Sequence, residues 1–196
     1  NDAVKYKSYF SAAKQKAKGE ASVWYLYSQS APQEIKTLVS DAKIIICLRN
    51  PVDMIYSLHG ETIFNGYETE SDFEKALTLE YGRKSGLNIP SSATFVQCLL
   101  YKENGLYSTH IQRWQEAFGK ENVLIILLDD LYKNALDSTN KALEFLGLSE
   151  LPELNNEVQN EAKDFTSLGL HQKFKSAKNW EKNLIRLLIP SKKIRE

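Results

Sequence analysis

Residues 43–57 read KIIICLRNPVDMIYS, and the architecture of the chain follows from them. The run 44–48 is apolar throughout and does not alternate, a pattern typical of a parallel strand buried on both faces. A helix start follows, because Asn50 is a favoured N-cap, Pro51 suits the first helical position and Asp53 lies beside the positive end of the helix dipole. These residues therefore predict a buried strand, a tight turn and a helix.

Two side chains of this segment are candidates for binding an anion. Arg49 falls at the carboxyl end of the predicted strand, where open α/β sheets bind ligands, and a guanidinium matches the geometry of a phosphate. Ser57 lies six positions beyond Pro51, about 9 Å along the helix axis, so its hydroxyl cannot cap the helix but can donate to an anion along its flank. The alternative is a surface salt bridge for Arg49 and an ordinary helical serine.

Residues 49–53 with Ser57 resemble the 3′-phosphate-binding segment of sulfotransferases that use the donor PAPS (3′-phosphoadenosine 5′-phosphosulfate). Further blocks resemble bacterial and carbohydrate-type members of that family in order and approximate spacing. These blocks are Gly19-Glu20-Ala21-Ser22, Tyr25-Leu26, Gly105-Leu106-Tyr107, Trp114, Phe118, Val123–Leu127, Asp129-Asp130-Leu131 and Phe145-Leu146-Gly147-Leu148. Several blocks in one order are more specific than any single motif. The chain is thus identified as a member of the PAPS-dependent sulfotransferase family over residues 15–150.

The resemblance implies a fold, a reaction and a donor. The fold is an α/β, P-loop-like three-layer arrangement with a short parallel sheet flanked by helices. The reaction is transfer of a sulfonate group from PAPS to a hydroxyl or amine acceptor, with PAP as product and no metal. Arg49 and Ser57 are implied to bind the 3′-phosphate of the donor. The acceptor is expected to be a small molecule, a glycan or a lipid.

One block of the family has no counterpart in the chain. Its members carry a glycine-rich, lysine-containing loop that cradles the 5′-phosphosulfate, whereas residues 1–18 contain no glycine and read as a polar, lysine-rich helical segment. We therefore expect residues 1–196 to be a single sulfotransferase-like domain, truncated at its amino end and slightly at its carboxyl end. The lysine that neutralises the leaving group in this family lies in that loop.

Glu20 is the candidate within the chain for the base that deprotonates the acceptor. A strand is predicted over residues 20–27, and a carboxylate at a strand end with a raised pKa can do this work. The alternative is that Glu20 is a turn residue and that Ser22 caps the next turn of the chain. In many carbohydrate sulfotransferases the corresponding base lies further upstream.

Other polar residues are weaker candidates for a site. His59 lies two positions beyond Ser57 and so faces another side of the helix, which makes it a secondary candidate for the base. Asp129 and Asp130 follow the second predicted strand, and we interpret them as helix-capping residues rather than metal ligands. The three histidines of the chain are too scattered for a metal cluster.

The composition argues against several classes of partner. Lys plus Arg and Asp plus Glu number 25 each, so no overall basic field favours nucleic acid or an anionic membrane. Two cysteines, Cys47 and Cys98, lack zinc or redox spacing and are expected to be free thiols in apolar surroundings. No apolar run approaches the ~20 residues of a membrane span. We expect a cytoplasmic location.

Periodicity and turn residues predict the remaining elements. A helix from Ala31 is expected to form a parallel crossover with strands 20–27 and 44–48, and a helix over 71–83 is expected to be capped by Ser71. An irregular segment 85–104 follows, and then an amphipathic helix with Tyr107, Ile111, Trp114 and Phe118 on its core face. The remaining elements are a strand over 123–128, a helix over 138–146 closed by Gly147, and a carboxyl-terminal helix over 180–189. Loops on a rigid scaffold commonly carry specificity, so the segment 85–104 is the candidate for acceptor selection.

Two other functions are compatible with these residues. A non-catalytic nucleotide-binding or interaction module can retain the fold without the phosphosulfate loop. A small-molecule kinase of the P-loop type brings a glycine-rich loop and a magnesium-binding acid, but not the pairing of Arg49 with Ser57.

Overall fold

A computed structural model describes residues 3–154 of the chain. Its α-helices are α1 (Ala3–Ser8), α2 (Ala31–Leu38), α3 (Pro51–Asn65), α4 (Phe73–Lys84), α5 (Tyr101–Gly105), α6 (Tyr107–Phe118), α7 (Leu128–Lys133) and α8 (Ala135–Phe145); its strands are β1 (Ile44–Leu48) and β2 (Val123–Leu127); and short 3₁₀ helices span Val23–Tyr25, Val96–Leu99 and Lys120–Asn122. The predicted helix over 180–189 lies outside the described residues. Within residues 3–154, no helix is long and apolar enough to cross a bilayer.

The two strands form a parallel pair. Ile44 is aligned with Val123, and the register runs without a break to Leu48 and Leu127. The continuous apolar runs predict both strands. Along the chain, a helix comes before and after each of them. The α/β class with a short parallel sheet flanked by helices is therefore confirmed.

The described residues divide into two compact units, residues 3–54 with 104–154 and residues 55–103. In the first unit, Trp114 and Phe118 of α6 stack with ring centroids 5.9 Å apart and pack with Ile46 and Val123 of the strands. The apolar face predicted for α6 is thus confirmed as a core face. The second unit encloses Ala76, Leu99 and Tyr101, each 0% exposed, together with buried charged side chains.

The strand predicted over residues 20–27 is wrong. This segment forms the 3₁₀ turn Val23–Tyr25, in which the Tyr25 amide donates to the Ser22 carbonyl at 3.3 Å and the Ser28 amide to the Trp24 carbonyl at 3.2 Å. Local bonds of this kind satisfy the backbone without a neighbouring strand. The predicted strand–helix–strand crossover through α2 is therefore wrong as well.

The burial of β1 also differs from the prediction. Ile46 and Leu48 are buried, but Ile45 and Cys47 are exposed, so only one face of the strand is covered by the described residues. Both cysteines are free, as predicted, but only Cys98 is buried.

Two helix starts differ from the sequence predictions. Helix α4 is capped by Asp72, whose carboxylate accepts from the Lys75 amide at 3.1 Å, rather than by Ser71. Helix α8 begins earlier than predicted, because Asn134 caps it by accepting from the Asp137 amide at 3.1 Å. Its predicted end is confirmed, since Gly147 follows with a positive φ of 67°.

Candidate anion-binding site

The turn between β1 and α3 has the local structure that the sequence predicts. The side-chain oxygen of Asn50 accepts from the amide of Val52 at 2.9 Å and from that of Asp53 at 3.4 Å, so it caps the helix that begins at Pro51. Its own carbonyl accepts the first helical bond, from the Met54 amide at 2.9 Å. The Asn50 cap therefore fixes the start of α3 directly after Arg49, the residue that follows β1.

The side chain of Arg49 is exposed at the end of β1. Among residues 3–154, no carboxylate oxygen lies within 4.0 Å of its guanidinium, so the surface salt bridge considered as the alternative is not formed there. An exposed guanidinium without an internal carboxylate partner is available to a phosphate.

Tyr107, at the start of α6, lies beside Arg49. Burial raises the pKa of the half-buried Tyr107 phenol, while the positive charge of Arg49 and a hydrogen bond from the Arg49 backbone act in the opposite direction. No local pattern predicts this contact. The sequence singles out Tyr107 only because it belongs to a block that resembles the family and to the apolar face of α6. A phenol at this place holds the strand end against α6.

Ser57 lies in α3 with an exposed side chain. The next candidate along this helix, His59, is instead 5% exposed, and its Nε2 lies 2.8 Å from the carbonyl oxygen of Glu70. A carbonyl oxygen only accepts, so Nε2 carries a proton and is not a free base. The two side chains therefore face different surroundings, as their spacing predicts.

Glu20 belongs to a small cluster of phenols rather than to a strand end. Its Oε1 accepts from the hydroxyl of Tyr6 at 2.7 Å and from that of Tyr25 at 3.0 Å, and its side chain is exposed. Burial and the hydrogen bond to Glu20 raise the pKa of Tyr6 to about 12. The hydrogen bond to Glu20 and burial also raise the pKa of Tyr25. Both phenols therefore stay protonated at neutral pH and orient the carboxylate.

The acidic pair after β2 lies where a helix favours negative charge. Asp129 and Asp130 lie in the first turn of α7, where a carboxylate interacts favourably with the helix dipole, but Leu127 occupies the N-cap position itself. The prediction that they cap the helix is thus wrong in detail. In the part of the chain that the structure describes, no group of three or more His, Cys, Asp or Glu side chains is placed to hold a metal ion.

The segment predicted to select the acceptor is irregular only in its first part. Residues 85–95 form turns and bends, in which Asn88 adopts a positive φ of 54°, whereas Val96–Leu99 and Tyr101–Gly105 are helical turns. Exposed side chains occupy much of the irregular part, among them Leu87 and Phe95 at 63% and 39%.

Comparisons with known proteins identify the family of the chain. Residues 6–185 match the family model described as "Sulfotransferase domain". The chain is 29% identical over 130 residues to the human "Bifunctional heparan sulfate N-deacetylase/N-sulfotransferase 2", which covers 66% of this chain and 14% of that protein. It is 24% identical over 144 residues to the mouse "Heparan sulfate glucosamine 3-O-sulfotransferase 3B1", which covers 74% of this chain and 34% of that protein. The chain thus spans a minor part of these curated relatives.

A solved structure supports the same fold. The crystal structure of a sulfotransferase from Alicyclobacillus acidocaldarius superposes with a TM-score of 0.66 at 28% sequence identity, over 81% of this chain and 62% of that one. The P-loop-like α/β fold expected from the resemblance is therefore confirmed.

Proposed function

Because the chain belongs to the sulfotransferase domain family, we propose that it acts in the transfer of a sulfonate group from PAPS to a hydroxyl or amine acceptor. Arg49 and Ser57 bind the 3′-phosphate of this donor. The observation that carries the proposal is the exposed Arg49 at the carboxyl end of β1, which has no carboxylate partner in residues 3–154 and precedes a capped helix.

The side chains of this segment fit a phosphate chemically. Arg49 supplies a planar fork of N–H donors, and Ser57 supplies a hydroxyl that is exposed on α3. The bound donor supplies the activated sulfonate, whose bond to the 5′-phosphate breaks as the acceptor oxygen or nitrogen bonds to sulfur. By analogy with phosphoryl transfer, the protein contributes mainly positioning and electrostatic stabilisation. Arg49 and Ser57 carry out the positioning of the nucleotide.

Glu20 is proposed as the group that accepts the proton lost by the acceptor. Its carboxylate is exposed, and the phenols of Tyr6 and Tyr25 hold one of its two oxygens. Within residues 3–154 the other oxygen has no hydrogen-bond partner, so it is available to a proton. This geometry supports the role on chemical grounds.

The acceptor is proposed to be a glycan. The relatives are named for heparan sulfate, one as an N-sulfotransferase and one as a glucosamine 3-O-sulfotransferase, so transfer to nitrogen and transfer to oxygen are both represented among their names. We extend this acceptor class to this protein. Small molecules and lipids are the competing classes.

The test is sulfonate transfer by the full-length natural protein. Sulfur-labelled PAPS is offered with chemically desulfated heparan sulfate, with a sphingolipid and with a phenol, and the label on each acceptor is counted. We expect label on the glycan. Label on another acceptor refutes the glycan class, and binding of PAP without any transfer supports the non-catalytic module instead. Ser57→Ala is expected to weaken PAP binding, whereas Ser108→Ala, which alters an exposed serine of α6, is its matched control.

A further inference from the structure

The second unit contains a buried ion pair that the proposed reaction does not use. Arg83 of α4 and Glu68 lie 2.8 Å apart between Nη1 and Oε2, and their side chains are 1% and 0% exposed. Removing two charges from water is costly, so such a pair needs further hydrogen bonds to be tolerated. The identity of those further partners indicates what the pair does.

Arg83 binds the chain at two separate points besides Glu68. Its Nε donates to the carbonyl of Asn88 at 3.2 Å, and its Nη1 donates to the carbonyl of Leu99 at 3.3 Å. These carbonyls stand at the two ends of residues 88–99, which we call the 88–99 loop. One guanidinium thus fixes both ends of the loop, which the five N–H donors of a rigid fork allow.

Glu68 in turn anchors the guanidinium to the rest of the unit. Its Oε1 accepts from the Thr69 and Glu70 amides at 2.8 and 2.9 Å, and its Oε2 accepts from the Tyr101 hydroxyl at 2.9 Å. The Tyr101 oxygen lies 2.9 Å from that of Thr62 on α3. The loop ends are therefore connected through buried polar contacts to two helices of the unit.

A second carboxylate holds the chain just beyond the loop. Glu80, one turn before Arg83 on α4, accepts from the backbone amides of Lys102 at 2.7 Å and Glu103 at 3.1 Å. Lys84 bridges Glu80 and Glu103 at 3.6 and 2.7 Å. The backbone on the carboxyl side of the loop is thus fixed by the same face of α4.

We propose that Arg83 is a positioning residue for the acceptor: it fixes the two ends of the 88–99 loop so that the exposed side chains of the loop meet the acceptor in one geometry. This inference rests on the proposed function. Ile89 and Phe95 are 37% and 39% exposed, although both ends of the loop are bound to a buried charge. Loops on a rigid scaffold commonly carry function, and binding sites need their supporting side chains held in place.

The first test is Arg83→Lys in the full-length protein, with desulfated heparan sulfate as acceptor. Lysine retains the charge opposite Glu68, but a single ammonium cannot bind Glu68 and both carbonyls. The KM for the acceptor is expected to increase by about tenfold, because loop side chains that are no longer held in one geometry contribute less binding energy to the acceptor. The KM for PAPS is expected to stay within about twofold of the wild-type value.

A second variant distinguishes the positioning role from a general loss of folding. Glu68→Gln combined with Arg83→Met removes both charges, so neither is left buried and unpaired. Its expected signature is the same KM split, with faster hydrogen exchange of amides in the 88–99 loop and unchanged exchange in β2. The matched control, Asp72→Asn with Lys75→Met, removes the exposed ion pair of α4 while Asn still caps the helix.

The outcomes separate this inference from the proposed function. A wild-type protein that transfers no sulfonate refutes both. An active wild-type protein whose Arg83 variants retain the acceptor KM, or raise the KM of acceptor and donor together, refutes the positioning role alone. An increase confined to the acceptor KM, with faster exchange in the loop, supports it.

Discussion

The side-chain oxygen of Asn50 accepts a hydrogen bond from the amide of Val52 at 2.9 Å. This cap fixes the first turn of α3 immediately after Arg49, so a single side chain determines both where the helix begins and where the strand-end arginine stands. The same short segment therefore contributes to stability and to the proposed phosphate site.

Two substitutions of Asn50 distinguish its effect on stability from its effect on phosphate binding. Asn50→Ala is expected to destabilise the protein by about 1 kcal/mol, because an orphan amide loses its partner. Asn50→Asp still caps the helix and is expected to retain stability, but its negative charge repels a phosphate bound at Arg49. Urea denaturation and PAP titration of both variants check this. An Asp variant that binds PAP as tightly as the wild type contradicts the location of the phosphate.

The ion pair of Glu68 and Arg83 should set part of the pH dependence of stability. Burial alone raises the pKa of Glu68, but hydrogen bonds from the Glu70 amide, Arg83 and Tyr101 outweigh it, so its pKa is lowered overall. The stability gained from ionised Glu68 is present above the pKa of the unfolded chain, about 4.3, and is lost as the pH falls through the lower folded-state pKa.

The matching variant is Glu68→Gln. It leaves Arg83 buried without a charged partner, so we expect a loss of about 3–5 kcal/mol in the free energy of unfolding at pH 7. The difference from the wild type should shrink as the pH is lowered below about 4.3, because the wild type loses its own carboxylate charge there. Denaturant titrations between neutral and acid pH measure it. A constant difference across that range contradicts the assigned role of the Glu68 charge.

Glu20 is the residue to change for the proton-transfer step. Glu20→Gln still accepts hydrogen bonds from Tyr6 and Tyr25 but cannot take up a proton, so sulfonate transfer is expected to fall by about 10²–10⁴-fold while PAP binding is unchanged. Tyr6→Phe, which removes one phenol from the same carboxylate, is a matched control for the cluster. Full activity of the Gln variant excludes Glu20 as the base.

The contact between Tyr107 and Arg49 predicts a smaller effect on binding. Tyr107→Phe keeps the ring against the core but removes the hydroxyl, and the loss of one hydrogen bond costs about 1 kcal/mol. We expect the Kd for PAP to increase about fivefold. Tyr132→Phe, at a ring that is 78% exposed on α7, serves as control. Equal effects of the two variants would show that the contact is irrelevant to the site.

Local sequence signals predicted much of this fold. The strand at 44–48, the Asn50 cap and the apolar face of α6 each depend on neighbouring residues, and the structure contains all three. Where two adjacent residues can each serve as a cap, as Ser71 and Asp72 can, the sequence does not discriminate between them. The strand predicted at 20–27 failed because local turn bonds satisfy the same backbone groups.

Local sequence patterns do not predict contacts between polar residues that are far apart in the chain. Arg83 and Glu68 are separated along the chain and belong to no motif, so nothing in the sequence pairs them or connects them to the carbonyls of Asn88 and Leu99. The contact of Tyr107 with Arg49 is of the same kind. The single domain, its expected truncation and the cytoplasmic location stay predictions.

The proposed function depends most on the binding of the nucleotide 3′-phosphate by Arg49. Isothermal titration of the full-length protein with PAP and with adenosine 5′-monophosphate, which lacks that phosphate, tests it most directly. In Arg49→Ala, the Kd for PAP should rise about tenfold to a hundredfold, as expected for loss of a charge-assisted hydrogen bond, while that for the monophosphate changes little. Arg113→Ala, which alters an arginine bound to the Ser28 carbonyl, should preserve the difference between the ligands. An Arg49→Ala protein that binds PAP like the wild type, or that loses both nucleotides equally, contradicts the claim.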